Sequence, residues 1–94
     1  MKLLVVDDEL LIRNVIKEYA LNEGYTVDEA EDGNEAIKKV EENNYDLIID
    51  ATHPFAQIVS ENIKDSVEKY NKTAKNHIML YRLARNVSGS IIDD

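Results

Sequence analysis

Three aspartates stand where carboxylates could hold a metal ion. Asp7 and Asp8 follow the apolar run KLLVV, and Asp50 closes the run DLIID. Carboxylate oxygens are hard donors, and three of them converging on one point would suit Mg²⁺, with water completing its octahedron. A simpler role is local: Asp8 capping the helix that follows it, and Asp50 capping the next turn. His53 lies in a Thr-His-Pro turn, either as an acid/base or anion contact at a helix N-terminus or as a plain turn residue. The chain has no cysteine, which excludes disulfides and thiolate metal sites. Its glycines, Gly24, Gly33 and Gly89, are too widely spaced for a phosphate-cradling G-x-G-x-x-G turn.

Convergence of the aspartates requires the first and third strands to lie side by side. KLLVV (2–6) is short, apolar and β-branched, fit for a strand buried on both faces. A helix over about 9–23 places Ile12, Val15, Ile16, Tyr19 and Ala20 at three- and four-residue spacing, and Gly24 ends it. TVDEAE (26–31) alternates weakly, as an edge strand does. Asp32 and Glu35 have capping-box spacing and open a helix through about Asn43, with Ala36, Ile37 and Val40 inward. DLIID (46–50) is the third strand. Pro54 suits the first turn of a helix over about 55–74 that buries Phe55, Val59, Ile63, Val67 and Tyr70. HIMLYRL (77–83) is the fourth strand, and a polar tail follows. Strands alternating with helices imply a parallel sheet. The expected fold is α/β: a truncated flavodoxin-like doubly wound sheet, order 2-1-3-4, with three helices, in which ligands sit at the carboxyl ends of strands one and three.

The 94 residues bound the chain to one small domain, and 44% hydrophobic with 32% charged residues is a globular balance. A net charge of −8 argues against nucleic-acid binding. No apolar run approaches the ~20 residues of a membrane helix, and no signal peptide is visible, so a cytoplasmic location is expected, or an expression host if the protein is engineered. The charge is uneven: residues 1–50 hold 5 Lys and Arg against 14 Asp and Glu, and residues 51–94 hold 6 against 5.

VVDDE, the helix through EGY, the strand ending EAEDGNEAI and then YDLII resemble the response-regulator receiver domain over residues 1 to about 49. The resemblance implies that Asp7 and Asp8 match the acidic pair that binds Mg²⁺. It also implies a strand-three aspartate that accepts a phosphoryl group from a histidine kinase, by in-line transfer assisted by the metal. The sequence departs from that pattern. Only Leu47, Ile48 and Ile49 separate Asp46 from Asp50 where receivers have four apolar residues, and a one-residue shift changes the face a side chain meets. Asp50 keeps the receiver spacing to Pro54, so a bulge could restore it. Tyr81 stands where a Ser or Thr ends strand four, and the strand-five lysine has no counterpart after Lys75.

Asp50 to Ala56, DATHPFA, followed by Ser60 and Asn62, is similar to the precorrin-6x reductase family, and Arg82 to Arg85 fit its downstream strand. This resemblance covers about residues 46–85. It implies descent from a two-domain, NADPH-dependent enzyme of cobalamin synthesis, with Asp50, Thr52, His53 and Pro54 from its active cleft. The expected whole is a single domain, 1–94, with a receiver-like half (1–49) and a reductase-like half (50–94). Such a chain would be an engineered chimera testing whether fragments of a flavodoxin-like fold recombine, with no enzymatic activity. The alternative is a degenerate receiver with residual Mg²⁺ binding that signals by protein contact. In either case Asp7, Asp8 and Asp50 form a vestigial, weak Mg²⁺ site, and no other cofactor is expected. Strand 77–83 would leave an open edge, inviting self-association or a swap of the C-terminal segment.

Overall fold

The computed structural model of the chain describes residues 1–52, 57–73 and 77–83. Its elements are β1 (Lys2–Val6), α1 (Leu10–Asn22), β2 (Thr26–Ala30), α2 (Gly33–Glu42), β3 (Leu47–Asp50), α3 (Gln57–Thr73) and β4 (Met79–Arg82). The four strands form one sheet in the order β2-β1-β3-β4. All neighbours are parallel, so the chain has the flavodoxin-like topology expected of it. Pro54 and Phe55, assigned to the start of the third helix, lie outside the described residues.

β1 is central, and Leu3, Leu4, Val5 and Val6 are almost fully buried, as a strand covered on both faces must be. Leu4 and Val6 join Ala30 and Ile48 beneath α2 and α3, which contribute Ala36, Val40, Ile63 and Val67. Leu3 and Val5 face α1, where they meet Ala20 and the half-buried Ile16, Leu47 and Ile49. Tyr45, just before β3, is 2% exposed. Its hydroxyl donates to Asp28 Oδ2 at 2.8 Å, and Lys2 Nζ lies 5.2 Å from its ring centroid. Burial, then the Asp28 carboxylate, push the Tyr45 phenol well above its ordinary pKa, so the hydroxyl stays protonated.

α1 keeps only part of its expected buried face. Ala20 is buried and Ile12 and Ile16 are half-buried, but Val15 is 57% and Tyr19 73% exposed. Ion pairs hold the flank beside the buried residues. Arg13 Nε donates to Glu29 Oε1 at 3.0 Å and Lys17 Nζ to Glu29 Oε2 at 3.1 Å, which fixes that flank of α1 over β2. The opposite flank bears Val15 and Tyr19, and Tyr19 lies beside Leu47 and Ile49 of β3. Asp8 does not cap this helix: the N-cap position falls to Glu9, whose amide donates to Asp7 Oδ1 at 3.0 Å. The far end closes as a Schellman turn, with Tyr25 N–H on Ala20 O and Gly24 N–H on Leu21 O, both 3.0 Å, and Gly24 at φ 88°.

At α2, Asp32 Oδ1 accepts the Glu35 amide at 2.8 Å, as the capping box requires. Glu35 returns its carboxylate to the Glu31 amide, also 2.8 Å, closing the box one residue further back than usual. Gly33 then lets α2 approach α3: a Cβ there would sit 2.8 Å from Val59 Cγ1.

Two measurements follow from this packing. Gly33→Ala should destabilise the chain, because an overpacking cost of ~1–3 kcal/mol exceeds the gain of up to ~1 kcal/mol from replacing a helical glycine. Adding Val59→Ala should recover part of that loss relative to Gly33→Ala alone, read by urea denaturation. Glu29 is held below its ordinary 4.5 by the hydrogen bond from Lys17 and then that from Arg13, against the opposing effect of burial. A depressed folded-state pKa contributes stability that is present above the unfolded value and lost as pH falls through the folded one. Wild type should therefore lose stability below about pH 4.5 more steeply than Glu29→Gln, in denaturation curves taken across that range.

Candidate functional site

The carboxyl end of β1 gathers Asp7, Asp8 and Glu9, each able to offer a carboxylate oxygen within 4.8 Å of the others. Asp7 is fully buried, whereas Asp8 and Glu9 are exposed. The chain reaches this point because the β1 ladder ends at Val6: the Asp7 amide donates to Ala30 O at 3.1 Å, and its carbonyl accepts Arg13 Nη1 at 2.8 Å. The donor set is all oxygen and anionic, which fits Mg²⁺ in chemical type. Glu9 completes the group where the sequence had suggested Asp50; its place directly after the Asp pair was the available signal.

Asp50 lies at the carboxyl end of β3, as expected, but its carboxylate is bound to other groups. In the β1–β3 ladder, Val6 is level with Asp50, which puts Ala51, not Asp50, level with Asp7. Level residues in a parallel pair lean to the same face, and successive residues alternate. Asp50 thus shares the face of Val6 and Ile48, beneath α3, and no bulge restores the longer spacing. There it is 1% exposed. Oδ1 accepts the Thr52 amide at 3.0 Å and the Thr52 hydroxyl at 2.6 Å, while Oδ2 accepts Arg82 Nη1 at 2.9 Å. Arg82 is level with Asp50 in the β3–β4 ladder. Its Nη1 also donates to Thr52 Oγ1 at 2.9 Å and to Ser60 Oγ on α3.

The site has therefore divided in two: an acidic group at the end of β1, and an anion–guanidinium–hydroxyl network between β3, α3 and β4. The sequence suggested Thr52 and Asp50 as neighbours in a motif, but not Arg82 as the counter-ion. Register arithmetic across β3 and β4 would have shown it. The Thr52 contact realises the turn-capping role considered for Asp50. His77 is exposed at the approach to β4, and His53 lies outside the described residues.

Residues 3–51 match the family described as the response regulator receiver domain, and the chain belongs to that family. Over 48 residues it is 56% identical to the transcriptional regulatory protein ResD of Bacillus subtilis, a stretch covering 51% of this chain and 20% of that protein. It thus spans about a fifth of the length of that curated relative. Among solved structures it is similar to the response regulator TrrA of Thermotoga maritima in complex with Mg²⁺–BeF, at 33% identity and TM-score 0.60, covering 83% of this chain and 84% of that one. The complex of the histidine kinase ThkA with TrrA gives 32% identity and TM-score 0.61, covering 94% and 90%.

Removing one half of the Asp50–Arg82 pair should expose its energetics. Arg82→Leu leaves a buried carboxylate without its cation and should cost ~2–3 kcal/mol, the lower end of such losses because Arg82 is 35% exposed. Asp50→Leu with Arg82→Leu should cost clearly less than the sum of the single changes in urea denaturation, since the pair itself has little net worth.

Proposed function

We propose that the chain is a degenerate receiver module that binds Mg²⁺ weakly and acts through protein contacts, not through phosphorylation of Asp50. The observation that carries this reading is the position of the Asp50 carboxylate: both oxygens are hydrogen-bonded, on the face level with Val6. An in-line transfer needs an accessible carboxylate oxygen beside the metal ligands. Asp7 and Asp8, with Glu9, would hold the ion, which when bound supplies local positive charge at the end of β1. In this reading the chain works by contact and not as an enzyme. The complex of TrrA with ThkA supports a histidine kinase as the class of contact partner. The net charge of −8 speaks against nucleic acid, and among the described residues no helix is long and apolar enough to cross a membrane.

A second reading, composite origin, is favoured by one observation: the family match ends at residue 51, beside the junction where DATHPFA begins. In that reading residues 50–94 descend from a precorrin-6x-reductase-like parent, and the chain is an engineered recombination of two flavodoxin-like halves. Recovery of one continuous natural gene encoding both halves would remove it.

Amide NMR during Mg²⁺ titration should show shifts centred on residues 7–9, lost in Asp7→Asn. Incubation with acetyl phosphate and Mg²⁺, followed by intact-mass measurement, should leave the mass unchanged. A stable phosphoryl adduct mapped to Asp50 would overturn the proposal.

A further inference from the structure

The acids that follow β1 lie on a turn tied at both ends by one residue of α1. The Asp7 amide donates to Ala30 O of β2 at 3.1 Å, and the Glu9 amide to Asp7 Oδ1 at 3.0 Å. The Arg13 amide donates to Glu9 O at 3.2 Å, while its guanidinium Nη1 reaches back to Asp7 O at 2.8 Å. Arg13 thus grips the first and last residues of the Asp7–Asp8–Glu9 segment. Glu29 fixes the guanidinium in turn. It is level with Val5 in the β1–β2 ladder, on the α1 face, and its Oε1 accepts Arg13 Nε at 3.0 Å.

This placement runs against two local preferences. The first turn of α1 carries no acid, and its one charge is Arg13, the wrong sign for a helix N-terminus. A guanidinium beside carboxylates that would hold a cation also repels that cation. Its side chain is nevertheless only 12% exposed, against 34–39% for the cations of the other described ion pairs. What the position gains is the span of the fork, with a β2 carboxylate on one nitrogen and the Asp7 carbonyl on another. An ammonium is a point charge and cannot hold both in fixed geometry.

We infer that Arg13, braced by Glu29, is the positioning residue that makes the Asp7–Asp8–Glu9 group prefer Mg²⁺ to Ca²⁺. The inference rests on the Mg²⁺ reading of that group. Three carboxylates on consecutive residues can meet one small ion only while the backbone between them keeps its bend. Mg²⁺ demands near-octahedral oxygens at ~2.0–2.1 Å, whereas Ca²⁺ accepts about six to eight at ~2.3–2.6 Å in irregular arrangements. A loosened turn therefore costs Mg²⁺ more than Ca²⁺. Groups that orient metal ligands without touching the ion commonly set affinity by ~10–100-fold. The charge of Arg13 acts the other way and weakens both ions alike. Geometry and charge thus predict opposite signs when the residue is removed.

Separate Mg²⁺ and Ca²⁺ titrations followed by amide NMR give both affinities for each variant. Arg13→Lys keeps the charge and loses the fork, and Arg13→Met loses both. In each, Mg²⁺ affinity should fall by ~10-fold or more, with a smaller fall for Ca²⁺, while amide shifts remote from residues 7–13 stay as in wild type. Lys17→Met takes a cation from Glu29 without touching the turn, and should leave the Mg²⁺-to-Ca²⁺ ratio unchanged. Unchanged or tighter Mg²⁺ binding by either Arg13 variant would overturn the inference, as would an equal loss of both ions or a wild type that prefers Ca²⁺. A wild type without Mg²⁺-dependent shifts at residues 7–9 would remove the Mg²⁺ reading itself. If wild type shifts there and Arg13→Lys binds equally well, only the role of Arg13 falls.

Discussion

In a pleated ladder, side chains alternate between faces, and residues level across parallel strands lean the same way. That parity governs this molecule. Once Leu3 and Val5 face α1 while Leu4 and Val6 face α2 and α3, the phase at which β3 enters the sheet settles what its last residue can reach. β3 enters with Leu47 level with Leu3, so Ile48 and Asp50 are committed to the side of Leu4 and Val6. Slipping β3 by one residue to bring Asp50 level with Asp7 would send Ile48, fully buried, to the opposite face. Hydrophobic burial of ~1.5–3 kcal/mol per such side chain holds the register against that slip.

The remaining polar chemistry adapts to this parity. An aspartate delivered into the protein interior must find donors there, and β4 supplies a guanidinium level with it. Thr52 meets the other oxygen through its amide and hydroxyl, and Ser60 ties Arg82 to α3. No buried side-chain polar atom among the described residues is left without a partner. The acids at the end of β1 face a different situation: Asp8 and Glu9 are exposed, and only Asp7 is buried. Aspartate thus takes two roles here: Asp50 is a buried structural anion closing β3, and Asp8 is an exposed acid beyond the end of β1.

Much of the fold was legible because its signals are local. The order of strands and helices, the central β1, the edge position of β2, the Asp32 cap and the Gly24 stop all follow from short-range pattern and backbone chemistry. The orientation of α1 was legible in part: periodicity picked out Ile12, Ile16 and Ala20, but not that Val15 and Tyr19 on the same stripe stay exposed, nor that Arg13 and Lys17 meet Glu29, distant in sequence. The acidic pair was read from adjacent residues, but the fate of Asp50 depended on register between strands and on Arg82, 32 residues away. Counting three apolar residues instead of four before Asp50 raised the question; only the ladder answered it.

The chain has five tyrosines and no tryptophan, so its near-ultraviolet signal is almost wholly phenolic. Tyr45 is the most buried of them, wedged between Lys2 and Asp28 at the amino-terminal end of β3. Burial and the Asp28 carboxylate raise the pH at which this ring loses its proton. Its phenolate absorbance would consequently appear at lower pH once that wedge opens, giving the molecule a built-in optical marker of opening at its centre, with no label attached.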